Sequence, residues 1–212
     1  MSTRKITVLS DFWKFHHSLS TEREPWVTQS KTFDFDDNTW KEVKVPHVWA
    51  IEGNFSPEHD AQYEKVIADG ILSETTHIGR TGGLPIYGFG IYRRKFMLQR
   101  DTKNVFIEFD GVMSNSEIYV NRIYVGGRPY GYSSFSVDCT KAVKFSEENL
   151  LVVVANPKES ASRWYTGAGI YRPVRLLETQ EAYVDFNGTF VSSRLIDGIQ
   201  LLASTTLIRR SV

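Results

Sequence analysis

Ten consecutive residues, Arg163-Trp164-Tyr165-Thr166-Gly167-Ala168-Gly169-Ile170-Tyr171-Arg172, hold the densest concentration of chemically useful groups in the chain. Two aromatic rings follow an arginine, two glycines follow the rings, and an aromatic–arginine pair closes the run. Rings beside a guanidinium fork can stack on sugar faces and bind hydroxyls or carboxylates. Glycine permits positive φ or close approach of the backbone to another surface. Arg163, Trp164 and Tyr165 are therefore the leading candidates for ligand contact, and an interdomain contact is the competing reading, since buried aromatic and arginine anchors serve interfaces equally well. Gly167, Gly169, Tyr171 and Arg172 read as structural: they turn the chain and lock the last strand, with Arg172 bonding backbone carbonyls or an acid.

Other reactive types carry less. His47, in Pro46-His-Val-Trp49, sits between apolar neighbours and reads as a satisfied core residue. Five histidines lack metal-ligand spacing, so no metal site is expected. His16 and His17 are adjacent, and on a strand they would face opposite ways. Asp34, Asp36 and Asp37 crowd a turn beside Trp40 and read as turn and capping residues. The single cysteine, Cys139, excludes an internal disulfide and reads as a buried, inert thiol at a strand end. There is no phosphate loop, dinucleotide fingerprint or hydrolase elbow, and no cofactor is expected.

The bulk properties agree. With 25 basic and 25 acidic side chains, the chain has no net field to attract nucleic acid or an anionic membrane. No basic stripe is interleaved with aromatics, and no run of eighteen apolar residues occurs. The 13% aromatic content leans toward β structure and suits carbohydrate contact. The start of the chain has no apolar signal region, which leaves the compartment open: periplasmic if a signal is removed, otherwise cytoplasmic.

The elements that must position these residues are almost all strands. Val105, Ile107 and Phe109 alternate with Phe106 and Glu108. Residues 117–125 read as a hairpin bent at Asn121-Arg122, and 132–138 as the next strand. Leu150-Leu-Val-Val-Val-Ala155 is continuously apolar, as for a strand covered on both faces. Further strands are expected at 5–9, 41–45, 91–98 and 174–177. A short helix is expected within 57–69, with loop around Thr81-Gly-Gly-Leu-Pro85 and Gly88-Phe-Gly90; a loop of that length is usually functional. Beyond Glu178, residues 182–186, 189–193 and 199–207 read as three strands turned at Asn187-Gly188 and Asp197-Gly198. Short strands with long connections predict an all-β fold, a jelly-roll sandwich over 1–178, followed over 179–212 by the incomplete start of an immunoglobulin-like sandwich.

Seven motifs stand in order: Asp11-Phe-Trp-Lys-Phe15; Phe35-Asp-Asp-Asn-Thr-Trp40; Val43-Lys-Val-Pro-His-Val-Trp49; Gly88-Phe-Gly-Ile-Tyr-Arg-Arg-Lys-Phe96; Phe109-Asp-Gly-Val-Met-Ser-Asn-Ser-Glu-Ile-Tyr-Val-Asn121; Gly131-Tyr-Ser-Ser-Phe135 with Asp138 and Thr140; and Ser162 through Arg172. Together they resemble the N-terminal sugar-binding domain of glycoside hydrolase family 2, the β-galactosidase, β-glucuronidase and β-mannosidase group, over roughly residues 10–178. Two positions depart from the family pattern. Arg122 stands where glycine is usual, and Leu84-Pro-Ile-Tyr87 lacks the histidine that often follows the proline. Both leave the particular sugar open.

The resemblance implies a galactose-binding-domain-like wall beside a separate catalytic (β/α)₈ barrel of the parent chain. Arg163, Trp164 and Tyr165 would lie near the pocket for the non-reducing sugar. It also brings in Asn115, whose amide offers both donor and acceptor to sugar hydroxyls, with a turn role as the alternative. No catalytic residue is assigned: the family's acid/base and nucleophile are barrel glutamates, and retaining glycosidases need two carboxyl groups about 5 Å apart. No Asn-Glu pair and no repeated βα pattern occurs here. The expected ligand is a β-linked galactoside or related glycoside, and the chain alone is expected to be inactive. Two alternatives remain: a stand-alone carbohydrate-binding module, or an oligomerisation domain pairing through the strand edges of 180–212.

Overall fold

The structure, a computed structural model, describes residues 4–19, 22–56, 58–59, 61–78, 88–98, 103–158 and 166–210. Its strands are β1 (Arg4–Val8), β2 (Trp13–Ser18), β3 (Lys41–Val43), β4 (Ala61–Ala68), β5 (Ile71–Ile78), β6 (Phe89–Met97), β7 (Asn104–Phe109), β8 (Ser116–Val120), β9 (Ile123–Arg128), β10 (Phe135–Asp138), β11 (Glu148–Ala155), β12 (Val174–Thr179), β13 (Ala182–Ile196) and β14 (Ile199–Arg210). One α-helix, α1 (Arg23–Ser30), and a 3-10 turn over Trp49–Ile51 are the helical elements among the described residues.

Two antiparallel sheets form a β-sandwich. One runs β1-β12-β7-β10, the other β3-β2-β6-β11-β8-β9. Strand period explains how β11 joins two cores. Leu151, Val153 and Ala155 point between the sheets, while Leu150, Val152 and Val154 point outward into a second cluster under Trp26, Val27 and Trp40. A strand buried on both faces has no polar position to offer, hence its unbroken apolar run. In β7, Val105, Ile107 and Phe109 are fully buried between the sheets, as their alternation predicts. Trp13 and Phe15 of β2 fill the same core, and each such large side chain contributes roughly 1.5–3 kcal/mol by leaving water. Cys139 is wholly buried, and burial pushes its thiol up to about 12.

The β8–β9 bend is the expected one. Asn121 and Arg122 both adopt positive φ (48° and 74°), as a tight hairpin turn requires. The Asn121 amide also serves the core edge: its Nδ2 donates to the Ala142 carbonyl at 2.9 Å, and its Oδ1 accepts from the Leu150 amide at 3.0 Å.

Three expectations are corrected. The stretch 57–69 holds no helix among its described residues; Ala61–Ala68 is a strand paired with Ile71–Ile78 around Asp69-Gly70. Phe89 and Gly90 begin β6 and are not loop. Asn187-Gly188 makes no hairpin turn: β13 runs on through it for 15 residues, with a register shift between Val184 and Thr189. Asn187 takes positive φ (53°), which a bulge needs as much as a turn does. The Asp197-Gly198 turn is as expected, joining β13 to β14.

Tyr183 of β13 reaches back to the outer face of β7, where its ring lies 5.1 Å from Phe106. A cleft of about 300 Å³ there is lined by Arg4, Glu108, Asp138 and Asp185 among others. No helix among the described residues is long and apolar enough to cross a membrane.

Candidate functional site

The loop after β7 and the segment before β12 meet at one corner of the sandwich. Met113 and Gly169 exchange both backbone hydrogen bonds at 2.9 Å, an isolated antiparallel bridge outside the named strands. The Ser114 carbonyl accepts from the Asn156 amide at 2.8 Å. Asn156 and Gly169 therefore tie both flanks of the 157–168 stretch to the same three-residue loop, Met113-Ser114-Asn115. Arg163, Trp164 and Tyr165 lie outside the described residues.

Asn115 sits half-buried on that loop with positive φ (46°), and its backbone amide donates to the Pro129 carbonyl at 3.0 Å. Its Nδ2 donates to the Asn156 carbonyl at 3.1 Å. The turn role is thus real, while Oδ1 keeps its lone pairs free of any protein donor among the described residues.

The glycine-rich segment behaves as its composition suggests. Gly167 (φ 78°) and Gly169 (φ 120°) take conformations that side chains resist. Arg172 Nη1 donates to the Asp110 carbonyl at 3.4 Å, and the Tyr171 hydroxyl to the Gly131 carbonyl at 2.9 Å. Both brace the corner from below.

Behind Gly169 lies a buried polar chain. The Tyr92 hydroxyl, fully enclosed, is 2.7 Å from His47 Nδ1, and His47 Nε2 is 3.1 Å from Glu52 Oε1. Glu52 Oε2 in turn accepts from Lys41 Nζ at 2.6 Å. Nδ1 is the bonded nitrogen, sharing a proton with the phenol, while Nε2 stands near Glu52 Oε1 without the geometry of a hydrogen bond. Burial holds His47 below 6.5, with Glu52 opposing and Lys41 adding to the shift. The backbone of this segment pairs with the corner: the His47 amide donates to the Ile170 carbonyl at 2.8 Å, and the Trp49 amide to Ala168 at 3.2 Å. His47 is a buried core residue, as its neighbours suggest, but only its Nδ1 is hydrogen-bonded, and that partner stands 45 residues away and is not legible locally.

His16 and His17 do face opposite ways. His16 stacks between Trp26 and Trp40 (4.3 and 5.1 Å), and His17 lies against Trp49 at 5.6 Å. Burial, aided by the neighbouring His17, lowers His16 also. Both His16 and His47 therefore bind fewer protons folded than unfolded. Below about pH 6.5, folded stability should fall as pH drops toward their lowered values. Urea unfolding at pH 7.5 and pH 5.5 should show the loss, and His47→Asn with His16→Phe should flatten it; equal slopes in both proteins would contradict the assignment.

The described residues contain no group of three His, Cys, Asp or Glu able to hold a metal ion. Asp36 and Asp37 fill structural places: Asp36 Oδ1 accepts from the Asn38 amide at 3.0 Å, and Asp37 pairs with buried Arg93 at 3.1 Å.

Residues 8–180 match the family described as "Glycosyl hydrolases family 2, sugar binding domain". The chain belongs to this family. The matched span contains the Asn115 loop, the 163–172 segment and every strand of the two sheets except β1, and ends where β13 is about to begin. A β-galactosidase of Bacteroides ovatus, BoGH2A, is 39% identical over 210 residues, covering 95% of this chain and 22% of the relative. A β-glucuronidase of Formosa agariphila is 28% identical, covering 70% of this chain and 15% of the relative. The solved β-glycosidase of Bacteroides vulgatus superposes with TM-score 0.78 at 28% identity, over 98% of this chain and 24% of that one. The family 2 domain thus spans about a fifth of the length of the BoGH2A relative it matches.

Proposed function

We propose that this family 2 domain forms one wall of the sugar site of a retaining, β-galactosidase-like glycosidase whose catalytic barrel lies elsewhere in the parent chain. A β-linked galactoside or related glycoside would rest against the corner, with Asn115 Oδ1 and Arg163 bonding hydroxyls and Trp164 or Tyr165 supplying a stacking face. The carrying observation is the double anchorage of the 157–168 stretch on the Asn115 loop through Asn156–Ser114 and Gly169–Met113. It ties the described flanks of that stretch, Asn156 and Gly169, to the loop that carries Asn115.

The domain division belongs to the same proposal. Residues 1–178 form a jelly-roll of the galactose-binding type, and residues 179–212 open an immunoglobulin-like unit. The family match ending at 180 and the exposure of Phe190, Leu195 and Leu202 on the β13–β14 hairpin support it.

In the full-length protein, Arg163→Ala and Trp164→Ala should each raise KM for an aryl β-galactoside about tenfold or more, as loss of a charge-assisted hydrogen bond or a stacked ring implies. Thermal midpoints should stay near wild type. Unchanged KM with a lowered midpoint would sink the reading, because it would make these residues packing and nothing more.

A further inference from the structure

The short connection from β9 to β10 carries two tyrosines at the protein surface. Tyr130 and Tyr132 are 60% and 39% exposed, and between them Gly131 is buried. Their rings lie 5.5 Å apart at 58°. The loop beneath them is tightly held. The Gly131 carbonyl accepts from Tyr171, the Pro129 carbonyl from the Asn115 amide, and a side chain on Gly131 would run into Met113. Arg128 closes the loop through Ser133 Oγ at 3.0 Å, and its own amide and carbonyl are both bonded to Ser116 Oγ. Two large rings are therefore presented to solvent from a rigid base that touches the Asn115 corner directly.

We infer that Tyr130 and Tyr132 form a second carbohydrate-contact site, taking the next pyranose of a β-linked oligosaccharide whose first unit occupies the Asn115 corner. A tyrosine suits this chemistry: its face meets the C–H side of a pyranose, and its hydroxyl exchanges hydrogen bonds with the sugar rim. Preorganisation favours the reading as well, because rings fixed by their loop lose little freedom when a sugar lands on them. The second site thus selects for chain length, where the corner selects for the terminal sugar. It rests on the proposed corner for its orientation.

The test uses the full-length protein and its Tyr130→Ala/Tyr132→Ala variant, with β-galactotriose against an aryl β-galactoside. The ratio of kcat/KM for the trisaccharide to that for the aryl glycoside should fall about tenfold or more in the variant. An unchanged ratio, including an equal loss on both substrates, overturns the inference and makes the tyrosines part of an interface. Fluorotyrosine incorporated at 130 or 132 gives a readout free of turnover: its fluorine resonance should shift with millimolar trisaccharide, and failure to shift overturns the second site. Should the wild-type protein hydrolyse no glycoside, the corner's proposed function falls by itself, and the fluorine shift still decides the tyrosines.

Discussion

Gly169→Ala should destabilise the fold by about 3–5 kcal/mol, far beyond an ordinary glycine substitution. A Cβ there would stand 2.5 Å from the Tyr92 hydroxyl and 2.6 Å from the His47 carbonyl oxygen. Neither neighbour can give way cheaply. Tyr92 is fully enclosed and bonded to His47, and the His47 carbonyl belongs to backbone whose amide is bonded to Ile170. The backbone is also at φ 120°, where side chains rarely sit, and its two bonds to Met113 hold it there. Accommodation would have to pull the 168–170 segment off His47 and Trp49 and expose the buried phenol. Gly198→Ala is the matched control. It too has positive φ (79°), but nothing lies within 4 Å of the added methyl, so about 1–2 kcal/mol is expected. Urea unfolding of both variants checks the pair, and costs within 1 kcal/mol of each other would refute close packing as the reason for Gly169.

How much of this was legible depends on the reach of each interaction. The β11 run and the β7 alternation carry their burial in adjacent residues, and the sequence reads them correctly. The Asn121-Arg122 bend is legible for the same reason. Helix α1 is not: its eight residues bury only Val27 and Ser30, and its place is set by the groove beside Trp40 and His16. For residues 61–78 the usable signal was Asp69-Gly70, a strong hairpin dipeptide between two strand-like runs. Asn187-Gly188 carries the same signal but serves a bulge, because the dipeptide specifies positive φ and not a reversal. In the candidate corner, the glycines could be picked out by type, and Asn115 through the family resemblance. The Tyr92–His47 contact and the bonds from Tyr171 and Asn115 that hold the loop under Tyr130 and Tyr132 join distant segments, and no local pattern marks them.

Arg93→Ala should cost about 3–5 kcal/mol, the range for removing one partner of a buried, hydrogen-bonded charge. Arg93 stands on the outer face of β6 beside Ile91, 1% exposed, where an apolar residue would be the simpler choice. It is there because the 31–40 loop turns its polar backbone inward. Nη2 donates to the Thr32 carbonyl at 3.1 Å and Nη1 to Phe35 at 3.4 Å, while Asp37 pairs with Nη1 at 3.1 Å. The guanidinium also lies over the Phe35 and Trp40 rings, at 5.1 and 5.9 Å. One planar fork thus satisfies carbonyls, a carboxylate and two ring faces, and the loop covers the second core only while the fork is present. Arg93→Lys should recover little, since a point charge cannot span those acceptors. The exposed pair Lys65–Glu74, at 3.0 Å with both side chains about two-thirds exposed, sets the contrast: Glu74→Gln should cost under about 0.5 kcal/mol. Similar ion-pair distances would then differ several-fold in effect, and burial with backbone bonding is the cause. If Arg93→Ala unfolds in urea within 1 kcal/mol of wild type, the loop is held by its aromatic contacts alone and the guanidinium is dispensable.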